Sequence, residues 1–88
     1  MRCTKWKEKR RRRKNPAGGY VNTYHSGRVC TRKGKPPLVA EVAVQPNIAC
    51  TVQITAGGEV LYNDTCRCAE TGKRRVENWL ETGKGGWR

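Results

Sequence analysis

The side chains in this sequence with chemistry to offer are five cysteines, one histidine and a dense run of cations. Cys3, Cys30, Cys50, Cys66 and Cys68 form an odd set, so at least one lacks a partner for an intramolecular disulfide. Cys3 lies among cations near the N-terminus and reads as the odd one out. The other four admit two disulfides in three pairings, or one tetrahedral zinc site. The simplest reading is free, partly buried thiols in a reducing compartment. Zinc at Cys30, Cys50, Cys66 and Cys68 is disfavoured because Cys66-x-Cys68 is tighter than the usual zinc-knuckle spacing. His25 is a substitute ligand, although a lone His more often serves as an ordinary strand or surface residue. No other cofactor is expected.

Catalysis is not expected either. His25 is the only histidine, and no Ser or Cys lies near it in a nucleophile pattern. The carboxylates beyond Glu8 are scattered. Gly57-Gly58 reads as a turn, because no Walker-type Gly-Lys-Ser/Thr sequence surrounds it.

The cations are the stronger signal. Residues 1–14 hold nine Lys or Arg against one Glu, a net +8 of the chain's +12. Each cation that neutralises a phosphate releases a counterion, which gives salt-dependent affinity without base specificity. The run Arg10 to Arg13 is arginine, whose planar fork suits bidentate phosphate contact. The expected nucleic-acid-binding set is Lys5, Lys7, Lys9, Arg10, Arg11, Arg12, Arg13 and Lys14. A second, sparser group supports it: Arg28, Arg32, Lys33 and Lys35 around one loop, and Lys73, Arg74 and Arg75 at a helix start. The bland alternative is a solubilising tail or a targeting signal. Tyr20 and Tyr24 offer a stacking face for single strands, but the shortage of large apolar residues favours using them half-buried in the core. No aromatic RNA-binding motif or Gly-x-x-Gly clamp is present.

These residues must be positioned by a small fold. Eighty-eight residues with 35% hydrophobic content and no Phe make one marginal domain. No run approaches the roughly 18–20 apolar residues of a membrane span. No apolar segment follows the charged N-terminus, so it is not expected to be a signal peptide, and a chain starting there starts in the cytosol. The arm is expected to be disordered when free, because like charges four apart repel along a helix. Asn15-Pro16-Ala17-Gly18-Gly19 then reads as a flexible joint.

From Tyr20 the pattern alternates. Tyr20 to His25 reads as a strand, Ser26-Gly27 as a turn and Arg28 to Thr31 as a returning strand. Arg32 to Pro37 reads as a basic loop that Pro36-Pro37 keeps out of any ladder. Leu38 to Val44 is the strongest strand, with Leu38, Ala40, Val42 and Val44 on one face and a break at Gln45-Pro46-Asn47. Cys50 to Thr55 and Glu59 to Tyr62 form a hairpin about Gly57-Gly58. Asn63-Asp64 reads as a turn and Thr65 to Cys68 as a last short strand with both cysteines on one side. Asn63-Asp64-Thr65 also fits the glycosylation sequon, which matters only in a secreted protein. Lys73 to Glu81 is the helix, with an apolar stripe of Val76, Trp79 and Leu80, a Thr71 cap and a stop at Thr82-Gly83.

The C-terminal half resembles a chemokine. The likeness is carried by Pro46-Asn47 before Cys50, the strand Thr51-Val52-Gln53-Ile54-Thr55, the glycine turn, and the run from Ala69 to Glu81 after Cys68. It implies a three-stranded sheet under a helix, disulfides from Cys30 and Cys50 to Cys66 or Cys68, and binding to glycosaminoglycans. The family's paired N-terminal cysteines are missing, and Cys30 stands alone there.

The expected fold is α+β: an antiparallel sheet of about four to six short strands, open or barrel-like, with one C-terminal helix and a disordered basic arm. Residues 1–19 form the arm and hinge, 20–82 the β-rich domain and 83–88 a flexible tail. The expected function is non-enzymatic association with DNA or RNA, of ribosomal, viral packaging or small phage-regulator type, in the cytoplasm or a virion. One alternative is a secreted, cationic, disulfide-bonded signalling or glycosaminoglycan-binding domain. Another is a protein-binding inhibitor or adaptor that uses exposed strands and Trp87.

Overall fold

The computed structural model describes residues 2–14, 16–45 and 49–82. Asn15 of the expected joint, Pro46-Asn47 of the expected break, the Gly83 stop and the tail with Trp87 lie outside them. Among the described residues the chain forms β1 (Arg2–Cys3), β2 (Lys7–Lys14), β3 (Tyr20–Arg32), β4 (Lys35–Gln45), β5 (Ala49–Ala56), β6 (Glu59–Thr65) and α1 (Ala69–Thr82). The six strands make one antiparallel sheet in the order β1-β3-β4-β5-β6, with β2 also on β3. The protein is therefore α+β and sheet-dominated. No described helix is long and apolar enough to cross a membrane.

Alternation decides which face is buried. Cys30, Leu38, Ala40, Val42, Cys50, Val52, Ile54 and Tyr62 point to one side, where Val76 of α1 closes the core. The helix lies over β4 and β5, with Trp79 and Leu80 packed at the margin. The other face is left open. Gly57 and Gly58 both take positive φ in the β5–β6 turn, as the Gly-Gly hairpin predicts.

The basic arm is the main departure from expectation. Lys7 to Lys14 are not disordered but pair residue for residue with Gly27 to Tyr20. Repulsion loses because the pleat sends alternate cations to opposite faces. Same-face neighbours then stand about 6.8 Å apart, worth roughly 0.6 kcal/mol in water. The strand hydrogen bonds, at about 1 kcal/mol each, are of at least equal size. The cross-strand partners on β3 are Gly, Ser, His, Tyr, Thr, Asn and Val, none a permanent cation.

Cysteine chemistry reinforces the arrangement. Cys3 is not the odd cysteine: it is bonded to Cys30, and Cys50 is bonded to Cys66. Cys68 is the free one, and it is exposed. The chemokine-like pairing of Cys30 with Cys66 or Cys68 is thereby replaced, while Cys50–Cys66 is one of the pairings that likeness allowed. Two bridges and one thiol set an expected result. Mass spectrometry of the unreduced protein should read about 4 Da below the all-thiol mass, and native alkylation should add one label, at Cys68. Labelling at three or more cysteines would contradict this bonding.

Other local expectations are overturned by the ladders. Ser26-Gly27 is no turn. It lies in mid-strand, bonded to Lys7 and Glu8 on one side and to Glu41 and Val42 on the other. Pro36 and Pro37 lie inside β4, beside an irregularity between Cys30 and Arg32 and before the first β5 pair at Leu38, so neither proline has to donate. Asn63-Asp64 continues β6 opposite Gln53 and Val52, because Asp64 accepts from Arg75 of the helix at 2.9 Å. Thr65 ends β6, and Cys66 to Cys68 form the connection to α1 rather than a strand. The helix starts earlier than expected, at Ala69, so Thr71 lies in its first turn beside Cys68 at 3.3 Å. That hydroxyl contact holds the Cys68 thiol below its usual pKa.

Candidate polyanion interface

The N-terminal edge is one strand broken by a bulge. Between the pairs Cys3–Cys30 and Lys7–Gly27 the outer strand has one residue more than β3. Thr4 fills the gap: its amide donates to Val29 O at 2.9 Å, its hydroxyl accepts from the Val29 amide at 3.1 Å, and its carbonyl accepts from Arg28 Nε at 2.8 Å. The bulge turns Trp6 toward the helix, where Lys73 Nζ lies 5.6 Å and Arg28 Cζ 5.9 Å from its ring. Glu8, two residues on, accepts from Lys73 Nζ at 2.8 Å and from Ser26 Oγ at 3.4 Å.

Those contacts clip the edge strand to the helix. The bonded Lys73 ammonium holds the Glu8 carboxyl below its ordinary pKa. Because the folded-state value is the depressed one, the clip is complete above the ordinary carboxylate range. It is lost as pH falls through the lowered value. Lys73→Met should return the Glu8 titration, followed by NMR, to the ordinary range. An unmoved titration would show that Lys73 does not hold it.

Beyond the clip lies the basic array. Arg10, Arg12 and Lys14 are exposed on the helix side of the ribbon, paired with Tyr24, Asn22 and Tyr20. Lys7, Lys9 and Arg11 are exposed on the open side, paired with Gly27, His25 and Thr23. Arg13 pairs with Val21. The Arg12 guanidinium stacks 4.3 Å from the Tyr20 ring centroid. Tyr20 and Tyr24 are 61% and 42% exposed, not half-buried in the core, because α1 packs on β4 and β5 and does not cover this end of β3. The described part of β4 ends at Gln45, level with Thr23, so Arg12 to Lys14 and Tyr20 to Asn22 extend past that described part as a two-stranded ribbon.

On the open face, Lys7, Lys9 and Arg11 border a groove of about 370 Å³ floored by Val29, Val39 and the His25–Glu41 pair, whose atoms are 3.3 Å apart. The face carries both anchoring cations and exposed apolar surface.

The second basic group is dispersed. Arg28 pairs with Glu77 and Arg75 with Asp64, so both hold the helix. Tyr62 and Asp64 raise the Arg75 pKa further. Arg32 donates to the Pro36 carbonyl at 2.8 and 3.2 Å, securing its own hairpin. Lys33 and Lys35 are exposed at the β3–β4 turn, roughly 40 Å along β3 from Tyr20. Lys5 is exposed in the bulge and Arg74 on the helix. The structure thus gathers Lys7 to Lys14 and does not join them to Arg32, Lys33 and Lys35.

The proposed zinc ligands are also separated, since Cys30 and Cys50 belong to different disulfides. Among the described residues no group of three or more His, Cys, Asp or Glu is placed to hold a metal ion. Sequence reasoning missed Trp6, Glu8 and Thr4 as anchors. The available signal was a Trp and a Glu inside a basic run, neither useful to a tail that only neutralises phosphate. Compared with protein-family models, curated proteins and solved structures, the chain matches none of them.

Proposed function

We propose that this protein is a non-enzymatic nucleic-acid-associated protein whose contact element is the β2–β3 ribbon. The observation that carries the reading is the ordered array from Lys7 to Lys14, with seven cations among eight residues fixed by a ladder and cross-linked through Cys3. A strand already ordered loses less conformational entropy on binding than a free arm, so more of the electrostatic gain appears as affinity. The body beneath it sets where the array is presented. Two disulfides favour a virion or another oxidising setting over a reducing cytosol.

Deleting residues 1–14 is a poor test, because it also removes a sheet edge and a disulfide. The better variant replaces Arg10, Arg11, Arg12 and Arg13 together by Gln. Fluorescence anisotropy with a labelled DNA duplex should give a slope of log affinity against log salt that is shallower by about 3.6. Equal slopes for variant and parent would sink the proposal.

The same disulfides favour a second reading, a secreted domain that binds sulfated glycosaminoglycan, with Asn63 exposed in its sequon on β6. Competition between a heparin oligosaccharide and nucleic acid of equal charge separates the two. Nucleic acid should win under the first reading and heparin under the second.

A further inference from the structure

We infer that the open face of the sheet seats an unpaired nucleobase over Gly27, with the phosphates of its strand along Lys7, Lys9 and Arg11. The inference rests on the nucleic-acid reading above and specifies the form of its partner as single-stranded.

The hollow begins with a missing side chain. Gly27 lies in mid-strand, flanked by Lys7 on β2 and Glu41 on β4. A glycine weakens the interior of a strand, so its presence asks for a reason. Backbone geometry supplies none: Gly27 lacks the positive φ of Gly34 and Gly57, and the bulge at Thr4 adds its residue to the outer strand. Crowding supplies none either. A Cβ at this position would meet only the Ala40 carbonyl, at an ordinary 3.8 Å. What the glycine leaves is space, within the groove of about 370 Å³. That volume falls in the range of roughly 300–1,000 Å³ found for ligand clefts. Close approach of a ligand is the remaining use of a strand glycine.

The walls decide the chemistry of the ligand. Lys7, Lys9 and Arg11 line one side at every second residue of β2, about 6.8 Å apart. One anionic chain laid along the strand meets all three. Across the hollow the wall changes character, to Glu41 beside His25. That carboxylate turns an anion back toward β2 and accepts hydrogen bonds from a neutral donor. Val29 and Val39, the next cross-strand pair on this face, are 37% and 42% exposed. The occupant therefore has a repeating anionic edge and a compact apolar body that carries donors. A nucleotide strand has that division between phosphate and base. A sulfated glycan does not, because its sulfates and hydroxyls leave no comparable body to cover the valines. In a duplex the bases are stacked and show only their edges, so the seated base is unpaired.

The test uses Gly27→Val, which fills the hollow without changing charge, and Gly27→Ala as a smaller step. Neither position needs a left-handed backbone, and thermal unfolding should show both variants at least as stable as the parent. Binding is measured against salt for a labelled DNA single strand, an abasic strand of the same length and charge, the matching duplex, and heparin. The parent should prefer the single strand to its abasic counterpart by about threefold, just below the roughly fivefold lower end for a base stacked on an aromatic ring. Gly27→Ala should reduce that preference and Gly27→Val abolish it, with the salt slope and the duplex affinity unchanged. Lys7→Gln/Lys9→Gln should keep the preference and flatten the single-strand slope by about 1.4. Equal binding of the two strands by the parent, a preference that survives Gly27→Val, or an equal loss of duplex affinity would overturn the seat while leaving the nucleic-acid reading standing. So would a fall in stability in both glycine variants, which would give Gly27 a role in the fold. Dimerisation of the free protein that Gly27→Val abolishes would likewise assign the hollow to a second copy. Preference for heparin over every strand, or binding to none of the four, would overturn both.

Discussion

Replacing Cys3 and Cys30 together by Ala should lower the free energy of unfolding by about 3–4 kcal/mol, the loop-closure value for a bridge across 27 residues. For a domain this size that is a large share of total stability, typically about 5–15 kcal/mol. The bridge does more than restrict the unfolded chain. β1 contributes only the pairs Arg2–Thr31 and Cys3–Cys30, too few to hold an edge strand unaided. With the bond gone, residues 2–14 are retained by the β2 ladder, Trp6 and the Glu8–Lys73 pair. Hydrogen exchange should therefore show the amides of Lys7 to Lys14 losing protection before those of β4 and β5. Ala is the right replacement at Cys30, which is buried at 1% exposure and would strand a hydroxyl if it became Ser. A loss below about 1 kcal/mol, with the β2 amides still protected, would show that the ladder alone holds the strand.

That prediction also bears on the order of the basic edge. Five consecutive cations from Arg10 to Lys14 are an unfavourable sequence to fold, and three devices offset the repulsion: alternation across two faces, a covalent anchor at one end and an internal acid, Glu8, matched to Lys73. Each leaves Arg10, Arg11, Arg12 and Lys14 exposed to solvent. The ion pairs of the helix, Arg28–Glu77 and Arg75–Asp64, use other cations. The molecule thus divides its arginines between holding the fold and facing outward.

Much of the body was legible in the sequence. Leu38 to Val44 alternates cleanly because one face is core and the other solvent, and Gly57-Gly58 leaves only one sensible hairpin. The helix announced itself through Val76, Trp79 and Leu80. What failed were judgements from local residue type where a long-range partner decides. Ser26-Gly27 looks like a turn to any propensity scale, yet two neighbouring strands hydrogen-bond through it. Asn63-Asp64 looks like a turn until Arg75 reaches Asp64 from the helix. Cys3 looked unpaired because its partner lies 27 residues away, beyond any local pattern. The basic arm failed for the same reason, since whether it orders depends on the bare edge of β3. The candidate site was thus legible as residue types, and its geometry was not.

Gly72 offers the sharpest test of how the helix sits on the sheet. In an exposed helix interior, changing Gly to Ala stabilises by about 0.5–1 kcal/mol, because Ala loses less backbone freedom on folding. At Gly72 the sign should reverse. The residue is buried, and a Cβ there would stand 2.6 Å from Val42 Cγ1 and 3.2 Å from both Val42 Cγ2 and Cys66 Sγ. Val42 has no exposed surface, and Cys66 is fixed by its bond to Cys50, so neither yields cheaply. The helix must lift or the strand must bend, and such overpacking costs about 1–3 kcal/mol. Gly72→Ala should therefore destabilise, measured by denaturant unfolding. Val42→Ala should destabilise by itself, through the cavity it leaves. In the Gly72→Ala background it removes the methyl groups that obstruct the new Cβ. The double variant should then be more stable than the sum of the two single losses predicts, by more than the roughly 0.5 kcal/mol within which independent sites add. Strict additivity, or a stabilising Gly72→Ala, would mean that α1 does not approach β4 this closely.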